Sequence, residues 1–236
     1  MFRRPLLSLA ALAALAVASA HADDAGFKPL FNGKDLTGWT TYLQGGADPA
    51  KTWTIKDGVI YCTGKPNGYL LTDKEYGDYI LKVQWRFQPG KVGNSGVFVH
   101  VSGPDKIWPK GVEAQLQHLR AGDFWLVDGF KMSIPKERND PYGPRHYIRI
   151  GESWKKLDTK DAKGRDKYEL VSKNVEKPLG EWNQYEITCK GDNIKLVVNG
   201  EFVNEGTGAE ATKGKILLQS EGAPIEFRNI EIKMLK

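Results

Sequence analysis

The sequence predicts an all-β protein, a single-domain antiparallel β-sandwich. Three observations carry that prediction. Apolar residues alternate with polar ones at a period of two along most of the chain, and helical periodicity is scarce. The alternating runs are short and separated by turn signals such as Pro89-Gly90, Gly191-Asp192 and Asn199-Gly200. Finally, 236 residues with 40% apolar and 27% charged composition make a globular chain, of a length that all-β sandwiches occupy as one domain.

The chain opens with a segment outside that fold. Met1-Phe2-Arg3-Arg4 is a basic start, Leu6 to Ala18 is a short apolar run, and Ala18-Ser19-Ala20-His21-Ala22 carries small residues at cleavage spacing. This pattern predicts a signal peptide over 1–22 and an exported, periplasmic or secreted protein. The run is too short for a comfortable membrane span, and no later segment is long and apolar enough, so membrane insertion is not expected. The predicted domain covers 23–236.

Within it, Tyr79, Leu81, Val83, Trp85 and Phe87 form the apolar face of one long strand, ended by Pro89-Gly90. After the Gly93-Asn94-Ser95-Gly96 turn, Val97, Val99 and Val101 face the core of the next strand. Val112, Ala114 and Leu116 repeat the pattern, and Gly122–Asp128 reads as a further strand. Trp182–Lys190 pairs with Asn193–Val198 through Gly191-Asp192, and Asn199-Gly200 leads into Glu201–Asn204. Lys215–Ser220 and Ile225–Leu235 finish the sandwich. Residues 129–180 break the rhythm with Pro135, Pro141, Pro144 and Pro178, and read as a long loop-rich insertion. Asp158–Asp166 lacks the alternating ligands and terminal Glu of a calcium loop and reads as solvated.

Charge excludes one class of partner. The formal net charge is +5, and removing Arg3 and Arg4 with the signal peptide lowers it to +3. The residual basicity sits in the insertion, without the basic stripe and interleaved aromatics of a nucleic-acid module, so no nucleic-acid partner is expected. Cys62 and Cys189 both fall in strand-like runs. An oxidising compartment permits a disulfide, buried free thiols are equally common, and spacing leaves the two open. Oligomeric state is likewise open.

Three successive strands turn polar rows away from the core: Lys82/Gln84/Arg86, Phe98/His100 and Glu113/Gln115/Gln117. Asp123 and Trp125 follow on the next strand. If the strands are neighbours in one sheet, the rows merge into one surface. A solvated outer face is the alternative. Amides, an acid, Arg and aromatics suit sugar hydroxyls and pyranose faces, which favours a binding groove. Trp39, Trp53, Trp85 and Trp182 read as packing residues, whereas Trp108 and Trp154 lie in expected loops at the rim.

The chain resembles the exported bacterial 3-keto-disaccharide hydrolase family. The resemblance spans nearly the whole predicted domain through Leu30–Trp39 (LFNGKDLTGW), Trp53–Gly58 (WTIKDG), Gly93–Val97 (GNSGV), Gly111–Gln115 (GVEAQ), Gly122–Trp125 (GDFW), Gly180–Asn183 (GEWN), Asn199-Gly200 and Ile225–Lys233 (IEFRNIEIK). Val112 stands where the family commonly has an aromatic, and His118 where it often has an acid. The resemblance implies a concanavalin A-like jelly roll of the laminarinase type. It also implies cleavage of glycosides whose C3 hydroxyl has been oxidised to a ketone.

The residues themselves constrain the mechanism. Retaining glycosidases need two carboxyls flanking the scissile bond. The row Glu113, Gln115, Gln117 supplies one, which disfavours ordinary retaining hydrolysis from this strand. A 3-keto sugar needs less, because the ketone acidifies the C2 proton. Glu113 is then the expected base, with Arg86 or a divalent metal at the enolate and a His as acid, His100 on the same face. No metal-ligand spacing is evident. Gln84, Gln115, Gln117, His118, Asp123, Trp125 and His146 are the expected substrate contacts, with His118 at the wrong parity unless a bulge intervenes and His146 reaching in from the insertion. A non-catalytic carbohydrate-binding module is the competing reading, and a structural envelope protein the third. Glu113 separates the first two, since a lectin needs no general base.

Overall fold

The computed structural model describes residues 25–236; the predicted signal peptide over 1–22 lies outside the described residues. The strands, in chain order, are β1 (Lys28–Pro29), β2 (Trp39–Leu43), β3 (Trp53–Lys56), β4 (Val59–Cys62), β5 (Gly68–Thr72), β6 (Tyr79–Phe87), β7 (Gly96–Ser102), β8 (Lys110–Gln115) and β9 (Phe124–Val127). They continue as β10 (Asn139–Asp140), β11 (Gly143–Tyr147), β12 (Ser153–Lys160), β13 (Asp166–Val171), β14 (Asn183–Lys190), β15 (Asn193–Val198), β16 (Glu201–Gly206), β17 (Lys215–Ser220) and β18 (Ile225–Met234). All these strand pairs are antiparallel. One sheet runs β16-β15-β14-β6-β18-β4-β3 with β1 also on β18; the other runs β10-β11-β9-β8-β7-β17-β5-β2. Among the described residues, no helix is long and apolar enough to cross a membrane.

The predicted sandwich follows from the alternation. On β6, Tyr79, Leu81, Val83, Trp85 and Phe87 are buried, and the residues between them are half-buried. On β14 the buried set is Asn183, Tyr185, Ile187 and Cys189. These side chains meet Val97, Val99, Val112, Ala114, Leu116 and Phe124 of the second sheet in one core. Trp85 and Tyr185 pack ring on ring at 4.9 Å, and the Tyr185 hydroxyl donates to the Gln115 carbonyl at 2.6 Å, tying the two sheets together below β8.

The second sheet is covered on its outer face as well. β5 is buried at every residue, and β7, β8 and β17 at all but one. Tyr69, Leu71, Phe98, Val101 and Leu217 form a separate apolar cluster on that face. The outer face of the second sheet is thus sheltered, whereas the outward residues of β6 on the first sheet are half-buried.

The 129–180 insertion is more ordered than its composition suggests. It contributes β10 and β11 to the edge of the second sheet, where His146 pairs with Trp125 and Tyr147 with Phe124. It then forms the separate β12–β13 hairpin. The Asp158–Asp166 segment is the tip of that hairpin, where Asp161 accepts from the Lys163 and Arg165 amides.

Candidate active site

The outer face of the second sheet holds a cleft of about 1070 Å³. Its floor is built from β8, β17 and the turn before β7, with Glu113, Gln115, Asn94, Gln219 and Glu221 lining it. Trp108, Trp125 and Tyr142 supply aromatic walls, and Lys106 and Arg145 its cations.

Glu113 sits at the centre for reasons of register. Phe98 of β7 and Trp125 of β9 are its cross-strand partners, so an aromatic flanks it on each side. Its carboxylate folds over Gly96, where a Cβ would overlap Oε1. The glycine of GNSGV thus makes room for the glutamate of GVEAQ. Glu113 is 6% exposed, and its Oε1 has no hydrogen-bond partner among the described residues. Burial pushes its carboxyl well above the usual carboxylate range, and the Glu221 charge pushes it further. Burial also raises Glu221. A carboxyl raised by burial and a like charge in a cleft is a candidate for acid–base work.

Gln115 is pinned: its side-chain oxygen accepts from the Leu116 and Gln117 amides, each at 2.8 Å. Trp125 is 37% exposed, with its ring stacked on His146 at 4.5 Å and 10°. The imidazole is held from both sides, Nδ1 2.7 Å from Asp140 Oδ2 and Nε2 2.9 Å from Asp123 Oδ2. Asp123 also accepts from Arg120 Nε at 2.7 Å and from the Arg149 amide at 3.1 Å. The stack leaves the outer indole face toward the cleft, the form of a sugar platform.

The expected site residues therefore divide. Glu113, Gln115, Gln117 and Trp125 line the cleft. His146 and Asp123 are buried behind Trp125 and position it rather than face the cleft. His118 lies off the cleft with Nδ1 3.3 Å from Glu176 Oε2, as its parity requires.

The remaining three require correction. Arg86 and Gln84 are on β6, which belongs to the first sheet, because the chain crosses between sheets after Phe87. Equal parity on successive strands does not place them on one surface. There Arg86 pairs with Glu226 at 2.7 Å and lies over Trp182, while Gln84 bonds Gln184 and Arg228. His100 was expected beside Glu113. The β7–β8 register shifts between Val99 and Ser102, and His100 takes a φ of 54° there. The bulge turns its ring from the cleft face to within 6.5 Å of Tyr79, fully buried, and burial lowers the imidazole to about 4. Neither Arg86 nor His100 touches the cleft.

Asn94, Gln219, Glu221, Arg145 and Tyr142 were missed. A signal for two of them was present: Ile216, Leu218 and Ser220 are buried on one face of β17, so Leu217, Gln219 and Glu221 continue the other. Among the described residues there is no group of three or more His, Cys, Asp or Glu side chains arranged to hold a metal ion. On the cleft floor the carboxylates of Glu113 and Glu221 and the amides of Asn94 and Gln219 offer oxygen atoms.

Comparisons with known proteins show the family and the fold. The chain is 27% identical over 241 residues to the 3-keto-disaccharide hydrolase of Bacteroides thetaiotaomicron, an alignment covering 90% of this chain and 80% of that protein. A crystal structure of a candidate glycosyl hydrolase from Parabacteroides distasonis superposes with a TM-score of 0.60 at 25% identity, covering 93% of this chain and 99% of that one. The Bacillus licheniformis β-glucanase, at 16% identity and a TM-score of 0.52 over 89% of this chain and 97% of that one, shares the jelly-roll fold. A family model described as "3-keto-alpha-glucoside-1,2-lyase-like domain" matches residues 26–233, nearly all of the described chain, and the protein belongs to that family.

Proposed function

We propose that this carbohydrate-active hydrolase cleaves 3-keto glycosides by elimination followed by hydration, with Glu113 as the base that removes the C2 proton. The observation that carries this reading is Glu113 itself. A buried carboxyl with an unpartnered oxygen, on the floor of a cleft with aromatic walls, serves proton transfer better than it serves stability. The C3 ketone makes the C2 proton acidic, and its oxygen gains charge as that proton leaves. Arg145, which makes no ion pair among the described residues and lines the same cleft, takes the enolate role first expected of Arg86. Trp125 offers its free face to the sugar ring.

The B. thetaiotaomicron relative's name supports a 3-keto disaccharide as substrate class. The N-terminal pattern over 1–22 supports export to the periplasm or beyond, and N-terminal sequencing of the secreted protein should start at Asp23. The decisive measurement is product analysis with a 3-keto disaccharide and its unoxidised parent. Sugar should be released only from the oxidised compound, and Glu113→Gln should lower that rate on the order of 10²–10⁴-fold. Binding without turnover would favour a carbohydrate-binding module, and an unchanged rate in Glu113→Gln would end the assignment of the base.

A further inference from the structure

Elimination needs two proton positions, one at C2 and one at the departing oxygen. The cleft floor has a second carboxyl. Glu221 follows β17 directly, and its backbone bridges to Asn94. The Ser95 hydroxyl donates to the Gln219 carbonyl at 2.7 Å, fixing the same turn against β17. Two residues past Asn94, Gly96 opens the space that the Glu113 carboxylate fills. One short segment, Asn94 to Gly96, thus brings Glu221 and Glu113 to one floor.

That floor is rich in acceptors without donors. Glu113 Oε1, Gln219 Oε1 and Asn94 Oδ1 are all buried with no hydrogen-bond partner among the described residues, and Gln219 is only 2% exposed. An unsatisfied buried acceptor costs roughly 1–3 kcal/mol. Three of them at one place, together lining a cleft, mark a site that a ligand's donors complete. The other charged groups of the cleft are engaged elsewhere, except Arg145: Lys106 with Asp128, and Asp140 with His146.

We propose that Glu221 is the second proton-handling carboxyl of this site, holding one proton jointly with Glu113 and delivering it to the leaving oxygen. The proposal rests on the elimination reading above. Two carboxyls on one desolvated floor cannot easily both ionise. In the reactive arrangement the shared proton is on Glu221 and Glu113 is a carboxylate. Glu113 takes the C2 proton, the C2–H electron pair becomes the C1=C2 bond, and the C1–O bond breaks toward the leaving oxygen. That oxygen takes the Glu221 proton. The pair still carries one proton, now on Glu113. On hydration, Glu221 takes a proton from the water whose oxygen bonds to C1, and Glu113 returns its proton to C2. The cycle closes without an oxidant or reductant, and the net result is hydrolysis.

The test compares leaving groups. A 4-nitrophenyl 3-keto glucoside departs without protonation, whereas a 3-keto disaccharide expels a basic alkoxide. Glu221→Gln should slow the disaccharide about 10²–10³-fold, in the range of general acid catalysis. First-turnover nitrophenol release should fall at least tenfold less than the disaccharide rate, because that leaving group needs no proton and the step read precedes hydration. Glu221→Asp should restore part of the disaccharide rate, and matching melting temperatures confirm folding. An equal fall on both substrates, or no fall on either, overturns the acid role of Glu221 while leaving Glu113 standing. Wild-type protein inactive on both substrates overturns the elimination reading, and this proposal with it.

Discussion

Glu113 is expensive to keep ionised where it stands, and that cost is measurable apart from activity. Its carboxyl titrates well above the usual range in the folded chain, through burial first and Glu221 second. Between the unfolded and folded pKa values the folded state therefore holds a proton that the unfolded state has lost, so this group's contribution to stability falls as pH rises through that window. Glu113→Gln removes the group and the decline. The new amide N–H₂ meets a floor with free acceptors on Gln219 and Asn94. The variant should melt above wild type at pH 8 by at least about 3 °C, given that each tenfold change in protonation is worth about 1.4 kcal/mol. The gap should close near pH 4.5. Melting curves of both proteins across that range decide it, and a variant less stable at pH 8 would make Glu113 structural. His100, held near 4, has the opposite slope in both proteins and cancels. Glu113 was legible because the β8 alternation isolates one carboxyl among amides. Glu221 was legible only in its parity with Gln219; its nearness to Glu113 was not, because its strand ends at Ser220 and its partner lies on a turn distant in sequence. His100 was misplaced because a bulge leaves no mark in a period-two pattern.

At the scale of elements, the β12–β13 hairpin acts on the cleft through one residue. Tyr142 lines the cleft, and its hydroxyl accepts from the Tyr168 amide at 2.7 Å. Its ring meets Tyr168 at 5.7 Å and Trp154 at 6.4 Å, both edge-on. Arg120, which also bonds Asp123, lies over Trp154 at 5.5 Å. The hairpin thus braces the Tyr142 wall from behind, and its residues are not among those of the sandwich core. Ser153 and Val171 are register partners, so a two-residue turn can join them after excision, since opposed Cα atoms sit about 5 Å apart. Replacing residues 154–170 by such a turn should keep the cooperative melt and raise KM on the order of tenfold, about 1.4 kcal/mol of binding, with kcat little changed. Unchanged KM would show that Tyr142 needs no brace. The sequence hid this hairpin because its strands bury no continuous face: β12 is exposed or half-buried throughout. Strands that pack on the core, such as β6 and β14, announce themselves by alternation.

The whole molecule decides questions that spacing along the chain leaves open, and strand order is the means. The sequence assigned most strands correctly but not their sheets, since alternation records which side is buried and not which sheet a strand joins. Equal parity joins the β6 and β8 rows only on the condition that their strands share a sheet, and they do not. The same order settles the cysteines. Cys62 lies on β4 and Cys189 on β14, in one sheet, with β18 and β6 between them. Three strand spacings of about 4.8 Å separate the two strands by about 14 Å, against a limit near 7 Å between the Cα atoms of a disulfide. Both thiols are free and buried, and burial raises Cys62 to about 11 and Cys189 to about 12. Thiolate, the reactive form, is then scarce at neutral pH. Protein purified without reductant should show two titratable thiols in denaturant and essentially none when native. Reductant should leave its melting temperature unchanged, because no cross-link constrains the unfolded chain. A single titratable thiol or none in denaturant, or a melting temperature that drops with reductant, would mean that β4 and β14 lie closer than this strand order allows, and the strand order of the first sheet would fall.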